Sequence, residues 1–403
     1  MRMNSIGKAI KISDSVYWVG AVDWTVRDFH GYQTGRGTTY NAYLIMADKI
    51  TLVDTVKAQL KDELLSRISS VVDPGKIDYI ISNHSEMDHS GCLPEMIEII
   101  KPEKVFASAM GQKALESHFG LGSKITPVKN GENLSLGNMN MSFIETRMLH
   151  WPDSMFSYLK EEQILFSQDA FGMHLATDKL FDDQNNWEIL EEEAEKYFAN
   201  ILMPYSNLIL KLLESVCAMH LPVKIVATDH GPLWRSNIGK IMDLYKEWSE
   251  HKPVSRAIIV YDTMWNSTAI MAKAVGEGLM DAGVEFKIMP MSASHRSDVA
   301  TELLKSSALI AGSPTLNNNV FPTMADVLTY IKGLRPINMI GASFGSYGWS
   351  GESVAQVNDY LKAMNMEMVG EGVKIKYVPT GADLKSCYEL GKLVGTTLKS
   401  KIK

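Results

Sequence analysis

Short apolar segments separated by polar loops run through the first part of the chain. Residues 16–19, 40–45, 49–53 and 79–81 are apolar or β-branched and are bounded by Gly, Asp or Asn, which predicts β-strands. Apolar residues recur at helical spacing over residues 57–71 and predict a helix among these strands. We therefore expect a first domain in which both strands and helices contribute to the core.

A rhythm of strand, loop and helix begins after a polar, proline-containing segment at residues 247–253. Buried-strand runs at residues 257–261, 308–311 and 339–342 each lead into a polar loop and then into a helical stretch. Strands that alternate with helices predict a doubly wound parallel sheet. Ligands of such a sheet bind at the loops beyond the carboxyl ends of its strands.

Length, charge and composition limit the classes of protein to consider. At 403 residues the chain is too long for one typical core, so the change of rhythm predicts two α/β domains, residues 1–253 and 254–403. The formal net charge of -7, without a dense Lys/Arg cluster, gives no reason to expect nucleic acid. The amino-terminal segment has no apolar signal core, and no uninterrupted apolar run approaches the ~18–20 residues that span a bilayer. No membrane partner is expected.

Cysteine usage is sparse. The three cysteines, Cys92, Cys217 and Cys387, form no Cys-x-x-Cys pair. This excludes a rubredoxin-type or iron–sulfur centre built into the chain. It also fits the reducing cytoplasm, which is the predicted location.

Four residues of metal-binding type, His84, Glu86, Asp88 and His89, lie within six positions after the apolar run 77–81. The first three alternate, so an extended or loosely turned backbone would send them to one side, while His89 could reach a second metal. A lone His or Asp at a strand end is more often a turn or capping residue. That explanation fails for the cluster, because charged and imidazole groups packed together need a compensating charge. The cluster predicts a binuclear metal site and leaves the metal open.

Three further residues of the same type, His150, Asp169 and His230, follow apolar runs of the first domain. Each stands where a predicted strand gives way to a loop, where a rigid scaffold could present a ligand. Taken singly, each is also explained as a turn or capping residue, so the residues alone leave their role open.

The order of these residues resembles the signature of the metallo-β-lactamase superfamily, His-x-His-x-Asp-His followed by a His, a bridging Asp and a last His. The resemblance implies an αββα fold for the first domain. Glu86 replaces the second His of that signature. A further carboxylate makes the site more anionic and richer in oxygen, which suits iron better than zinc. The resemblance implies one iron held by His84, Glu86 and His150, a second held by Asp88, His89 and His230, and Asp169 bridging the two. His89 is either a direct ligand or a neighbour of one, and Asp229 is expected to orient His230 or His89.

The second domain resembles flavodoxin, because a polar loop follows each of three successive strands. Polar turns of this kind cap helices in many α/β proteins, so the resemblance rests on the three loops together. The first loop is expected to cradle the FMN phosphate at a helix amino terminus and comprises Thr263, Met264, Trp265, Asn266, Ser267 and Thr268. The other two loops are expected to flank the isoalloxazine ring and comprise Pro314, Thr315, Leu316, Asn317, Asn318, Ser343, Phe344, Gly345, Ser346, Tyr347, Gly348 and Trp349. A dinucleotide is not expected, because Gly345, Gly348 and Gly351 lack the Gly-x-Gly-x-x-Gly spacing.

A lactamase-like domain with a Glu-substituted site, joined to a flavodoxin-like domain, is similar to the flavodiiron proteins, most closely to the rubredoxin:oxygen oxidoreductase type. The resemblance covers essentially the whole chain and includes residues 28–32, 37–44, 150–154 and 348–352. It implies a cytoplasmic oxidoreductase that passes electrons through FMN to two irons and reduces O2 to water, NO to nitrous oxide, or both. It also implies rubredoxin or another reduced donor, such as a deazaflavin coenzyme, and a head-to-tail homodimer or a dimer of dimers.

Two residues, His30 and Tyr197, are expected to donate protons or hydrogen bonds to the substrate, with Tyr32 and His174 in the same pocket. Helical spacing around Tyr197 is explained equally well by core packing. Two alternatives stay open. One is a zinc-dependent hydrolase of metallo-β-lactamase fold joined to a flavodoxin-like domain, against which Glu86 argues. The other is an electron-transfer or redox-sensing module with a degenerate metal site, which the complete set of competent ligands disfavours.

Overall fold

The protein is described here by a computed structural model that covers residues 7–402 and forms two compact units. The first unit comprises residues 7–30, Thr34–Tyr197 and Asn207–Lys246, and the second comprises Gly31–Gln33, Phe198–Ser206 and residues 247–402. Short segments of the second unit therefore interrupt the sequence of the first. The boundary expected after residue 253 stays a prediction.

The first part of the chain forms two sheets with helices beside them. Its strands, including a short β5 that counts toward the second unit, are β1 (Ile10–Lys11), β2 (Val16–Trp18), β3 (Ala21–Asp23), β4 (Asp28–Phe29), β5 (Tyr32–Gln33), β6 (Thr38–Tyr40), β7 (Tyr43–Ile45), β8 (Thr51–Val53), β9 (Tyr79–Ser82), β10 (Lys104–Ser108), β11 (Ile125–Val128), β12 (Asn133–Ser135), β13 (Asn140–Glu145), β14 (Met155–Leu159), β15 (Ile164–Gln168) and β16 (Ile225–Thr228). Its helices are α1 (Lys61–Ser69), α2 (Met87–Ser90), α3 (Leu93–Ile100), α4 (Ala109–Phe119), α5 (Trp187–Tyr197), α6 (Ser206–Ala218) and α7 (Ile238–Glu250). One mixed sheet has the order β1-β2-β7-β8-β9-β10-β11, and the other has the order β12-β13-β14-β15-β16.

Alternation of side chains along the strands builds a core on each face of the first sheet. Tyr43 and Ile45 of β7 point into a core shared with the second sheet, where Phe166 of β15 packs. Leu44, between them in sequence, points to the opposite face and packs in a cluster that includes Met96 of α3. Side chains of α6 and α7 border the outer face of the second sheet. The predicted αββα arrangement is confirmed.

Parallel strands bring the residues of metal-binding type to one edge of each sheet. β8 runs parallel to β9, and β15 runs parallel to β16. Asp169 follows β15 directly, and His84 and His230 lie two residues beyond the ends of β9 and β16. Because the carboxyl ends of parallel strands meet at the same edge, short loops suffice to gather side chains that are far apart in sequence.

The second unit is built around one parallel sheet with helices packed against it. Its further strands are β17 (Arg256–Tyr261), β18 (Glu285–Pro290), β19 (Ala308–Gly312), β20 (Thr315–Leu316), β21 (Asn319–Val320), β22 (Ile340–Tyr347), β23 (Glu367–Met368) and β24 (Val373–Lys376). Its helices are α8 (Ser267–Asp281), α9 (Arg296–Leu304), α10 (Pro322–Leu334), α11 (Glu352–Ala363) and α12 (Gly381–Lys401). The parallel sheet has the order β18-β17-β19-β22-β23, and β24 also pairs with β22. The predicted doubly wound sheet is confirmed.

Strand β22 is longer than its sequence predicts. The expected strand at residues 339–342 continues to Tyr347, so the loop begins at Gly348 instead of Ser343. β24 pairs with β22 from Phe344 to Tyr347 and engages the backbone groups there. This pairing outweighs the low strand preference of the Ser and Gly residues in this stretch.

One helical stretch, Trp187–Ala218, is long and apolar enough to cross a membrane when judged by length and composition alone. The core helix of a soluble protein passes the same test, so the stretch is weak evidence of a membrane span. It is interrupted by a π-helical turn at Phe198–Leu202 and a 3-10 turn at Met203–Tyr205.

Two glycines allow α8 and α12 to approach each other closely. A Cβ atom on Gly278 would lie 2.0 Å from the carbonyl oxygen of Tyr388, and one on Gly391 would lie 2.0 Å from the carbonyl oxygen of Val275. The two helices therefore touch through their backbones, and any side chain at these positions would push them apart.

We expect Gly278→Ala to lower the free energy of unfolding by about 1–3 kcal/mol, because the added methyl group overpacks this contact. Gly333→Ala is the matched control, since Gly333 lies in helix α10 and its added Cβ atom would have no neighbour within 4 Å among residues 7–402. The control should raise the free energy of unfolding by about 0.5–1 kcal/mol through helix propensity. Urea unfolding followed by circular dichroism measures both. Equal stability of Gly278→Ala and the wild type would contradict the described packing.

Candidate functional site

The cluster predicted after β9 spans a loop and the first turn of a helix. His84 lies in the loop, Glu86 is the residue before α2, and Asp88 and His89 lie on α2 itself. The alternation expected for an extended backbone therefore ends at Met87. The helical turn separates Asp88 and His89 by about 100°, yet both side chains reach the same buried site from different directions.

A first ligand group is formed by one oxygen or nitrogen atom from each of His84, Glu86, His150 and Asp169. His84 Nε2 lies 3.3 Å from Glu86 Oε2 and 3.4 Å from Asp169 Oδ2. His150 Nε2 lies 3.2 Å from Glu86 Oε2 and 3.0 Å from Asp169 Oδ2. Ligand atoms bound to one ion at about 2.1 Å are separated by about 3.0–3.4 Å, so these four atoms have the spacing of a metal coordination shell.

A second ligand group lies on the other side of Asp169. His89 Nε2 is 3.4 Å from Asp88 Oδ2 and 3.1 Å from Asp169 Oδ1. His230 Nε2 is 3.2 Å from Asp88 Oδ2 and 3.6 Å from Asp169 Oδ1. One oxygen of Asp169 therefore faces each group, as a carboxylate that bridges two metal ions would.

Outer hydrogen bonds turn the imidazole rings toward the site. His84 Nδ1 donates to Asp153 Oδ2 over 3.1 Å, and His230 Nδ1 donates to the carbonyl oxygen of Thr39 over 2.6 Å. The same Asp153 oxygen accepts from the backbone amide and the hydroxyl of Ser85. A hydrogen on Nδ1 leaves Nε2 free to bind a metal. The roles of Asp153 and Thr39 were not evident from the sequence, although Asp153 belongs to the 150–154 motif.

Burial and neighbouring charges set the protonation of the ligand residues. Burial lowers the pKa of His89, but Asp88, Asp169 and Asp229 outweigh it and raise that pKa to about 10. Burial raises the pKa of Glu86, but hydrogen bonds from His150 and His84 outweigh it and place that pKa below its usual range. The pKa of Asp169 is also lowered, because burial is outweighed by His89 and His150. The two ligand groups thus contain ionised carboxylates whose charge is balanced by protons on the imidazoles. A bound cation would replace those protons.

Two atoms of the second ligand group fit a metal better than they fit each other. Within residues 7–402, Asp169 Oδ1 and His89 Nε2 are buried and lie 3.1 Å apart, yet their orientation makes no hydrogen bond. Buried polar atoms are nearly always satisfied, so such atoms, converging on one point, match the donor set of a metal ion.

The residues predicted to serve the substrate lie on two sides of the ligand groups. His30 Nε2 lies 3.6 Å from Glu86 Oε1, and its side chain is 77% exposed. Tyr197 is fully buried, with its ring centroid 6.0 Å from that of His230 and 5.1 Å from that of His174. Burial raises the pKa of Tyr197 well above its ordinary value, so this phenol keeps its proton. Tyr32 belongs to the second unit. The catalytic roles of His30 and Tyr197 stay predictions.

The predicted flavin loops of the second unit meet at one edge of its sheet. Tyr261 of β17 pairs with Gly312 of β19, which pairs with Phe344 of β22. The first loop leads into α8, and Thr268 Oγ1 near the start of that helix lies 2.9 Å from Ser346 Oγ. Thr263 Oγ1 is buried and has no partner among the described residues, which fits a loop that closes around a phosphate.

The side chains of the flavin loops differ in exposure. Trp265 is 90% exposed and Trp349 is 81% exposed, so both aromatic rings are free to cover a ligand. Ser343 and Phe344 are instead fully buried within β22. Phe344 packs in the core of the unit, so only the backbone of these two residues can border a ligand. The other flavin contacts stay predictions.

Comparison with known proteins agrees with this geometry. The family of ODP β-lactamases matches residues 38–231, and the flavodoxin family matches residues 259–391. The chain is 44% identical to the nitric oxide reductase of Moorella thermoacetica over 397 residues, which covers 98% of this chain and 100% of that relative. The structure of rubredoxin oxygen:oxidoreductase from Desulfovibrio gigas matches with a TM-score of 0.96 at 45% identity, covering 98% of this chain and 100% of that one.

A more distant structure supports the same assignment. The flavodiiron protein from Giardia intestinalis matches with a TM-score of 0.94 at 31% identity and covers 99% of both chains. These matches extend over both domains, and the site carries the Glu-substituted ligand set. The chain therefore belongs to the flavodiiron protein family, of the rubredoxin:oxygen oxidoreductase type.

Proposed function

We propose that the protein passes electrons from a reduced donor through FMN to a diiron site, which reduces O2 to water, NO to nitrous oxide, or both. The observation that carries this proposal is Glu86 in the buried ligand group, where it adds a second carboxylate beside Asp169. Two carboxylates with two imidazoles suit iron, which changes its oxidation state, better than zinc. Relatives at 44% and 45% identity are named as a nitric oxide reductase and a rubredoxin oxygen:oxidoreductase, which supports both gases as substrates.

The ligand geometry supports a definite division of roles. The proposed ligands of the first iron are His84, Glu86 and His150, those of the second are Asp88, His89 and His230, and Asp169 bridges the two. The loops after β17, β19 and β22 are proposed to hold FMN. When bound, the two irons and the flavin supply the electron-transfer chemistry.

Residues of the chain itself orient the metal ligands, exclude bulk water from the site and supply protons. Asp153 and Thr39 hold His84 and His230 with Nε2 directed inward. Deep burial of the ligand groups excludes bulk water, which strengthens the electrostatic contribution of each carboxylate. We propose that His30 delivers protons from the exposed side, next to Glu86, and that Tyr197 donates a hydrogen bond from the buried side, next to His230.

The remaining proposals concern the setting of the reaction. A rubredoxin-type protein is the proposed donor, since a relative at 45% identity is named for it. We also propose a cytoplasmic location, a head-to-tail homodimer or dimer of dimers, and a division into domains at residues 253 and 254. A zinc-dependent hydrolase is the weaker candidate, because Glu86 and the named relatives both argue against it.

Glu86→His tests the proposal at its central residue. We expect this variant to lose iron and gas reduction while it retains FMN, because an imidazole in place of the carboxylate favours a softer metal such as zinc. Metal analysis and anaerobic gas uptake measure the two effects. Glu98→His is the control, since Glu98 is exposed and forms a surface ion pair with Lys124. A Glu86→His protein with its full iron content and unchanged gas reduction would contradict the proposal.

His30→Asn tests the exposed proton donor. The backbone at His30 has a φ of 55°, which Asn tolerates, so the turn should survive the substitution. We expect gas reduction to fall about 100-fold, with iron and FMN retained, since the loss of a general acid typically costs a factor of 10²–10⁴. His220→Asn is matched to it, because His220 has a φ of 48° and is exposed. Equal rates for His30→Asn and His220→Asn would remove His30 from the mechanism.

A further inference from the structure

Three imidazoles of the ligand groups share one orientation. His84, His89 and His230 each direct Nε2 toward Asp169 and turn Nδ1 outward. Two of the outward nitrogens have close acceptors, namely Asp153 for His84 and the Thr39 carbonyl for His230. The outward nitrogen of His89 instead faces a buried carboxyl group.

That neighbour is Asp229, whose Oδ2 lies 3.5 Å from His89 Nδ1. Asp229 is fully buried, and neither of its oxygens has a hydrogen-bond partner within residues 7–402. Its backbone is fixed, because its amide donates to the Gln168 carbonyl and its carbonyl accepts from the Asn41 amide. A carboxyl group held in the interior without a donor implies that a donor is provided when the site is complete.

His89 is the donor that the geometry offers. His230, the sequence neighbour of Asp229, already uses its Nδ1 hydrogen at the Thr39 carbonyl over 2.6 Å. His89 places one ring nitrogen near Asp229 and the other 3.1 Å from Asp169. When Nε2 binds a metal, the remaining N–H hydrogen of the ring is at Nδ1, and a carboxyl oxygen accepts it whether or not the carboxyl group is ionised.

We propose that Asp229 is the positioning residue that makes His89 a ligand of the second metal. It accepts a hydrogen bond from His89 Nδ1 and so holds Nε2 toward Asp88 and Asp169. Without this acceptor the buried Nδ1 hydrogen has no partner in the described part of the chain, and the ring loses the interaction that fixes its orientation. The inference deepens the proposed function and rests on it for the presence of a second metal.

Cobalt(II) loading of the metal-free chain tests the inference without any gas turnover. The wild type should bind two cobalt ions. In Asp229→Leu, which keeps the branched shape of the side chain and removes the acceptor, the second ion should bind about 10–100-fold more weakly, the usual effect of losing an outer partner of a ligating His. Asp229→Asn should bind both ions nearly as the wild type does, because its amide oxygen can accept the same hydrogen bond. Equilibrium dialysis gives the affinities, and visible absorption of cobalt reports the loss of one ligand.

Asp54→Asn controls for the removal of a buried charge. Asp54 is also fully buried, but its oxygens accept from the amide and the side chain of Asn83. This variant should keep the second site within a few-fold of the wild type. Asp229→Ala carries the same expectation as Asp229→Leu and replaces it if the leucine variant does not fold.

Tight binding of the second ion by both Asp229→Leu and Asp229→Ala would overturn the inference, and so would a wild type that binds only one cobalt ion. The proposed function fails separately. A chain that binds two cobalt ions in the expected pattern but, when loaded with iron, reduces neither gas would contradict the function and leave the role of Asp229 intact.

Discussion

The carboxylate of Asp169 is the constraint on which the rest of the site depends. Its Oδ2 faces His84 and His150, and its Oδ1 faces His89 and His230, so a single fully buried side chain joins both ligand groups. Loss of this carboxylate would leave several imidazoles without a shared anion. A buried negative charge is costly unless it is balanced, so the carboxylates of this site require bound cations or protons.

The fold stabilises this concentration of charge because it holds the ligand side chains rigidly in place. Parallel pairing of β15 with β16 sets Asp169 beside His230, and β9 delivers His84 and Glu86 from the facing sheet. Asp153, Thr39 and the proposed acceptor Asp229 then fix the rings from outside. Ligands that are held before the metal binds do not have to be ordered at that moment, which favours binding and keeps the geometry constant through electron transfer.

Much of this was predictable from the sequence, for identifiable physical reasons. The strands of the first domain follow from short apolar or β-branched runs, and the parallel sheet of the second follows from the strand–helix rhythm. The ligand cluster stands out because such groups rarely crowd together without a cation. The extension of β22 to Tyr347 was not predictable, because it depends on pairing with the distant β24. The burial of Phe344 follows from the same extension. The sequence raised Asp229 as a partner of either His230 or His89. Which of the two it faces was equally out of reach, since that depends on the distance to His89 across the fold.

Gas uptake by the iron- and FMN-loaded chain, reduced without oxygen and compared for O2 and NO in the same cell, tests the central claim most directly. We expect rapid consumption of at least one gas, with electrons drawn from both the flavin and the irons, and loss of that consumption in Glu86→His. A chain that retains its metals and flavin but consumes neither gas would contradict it.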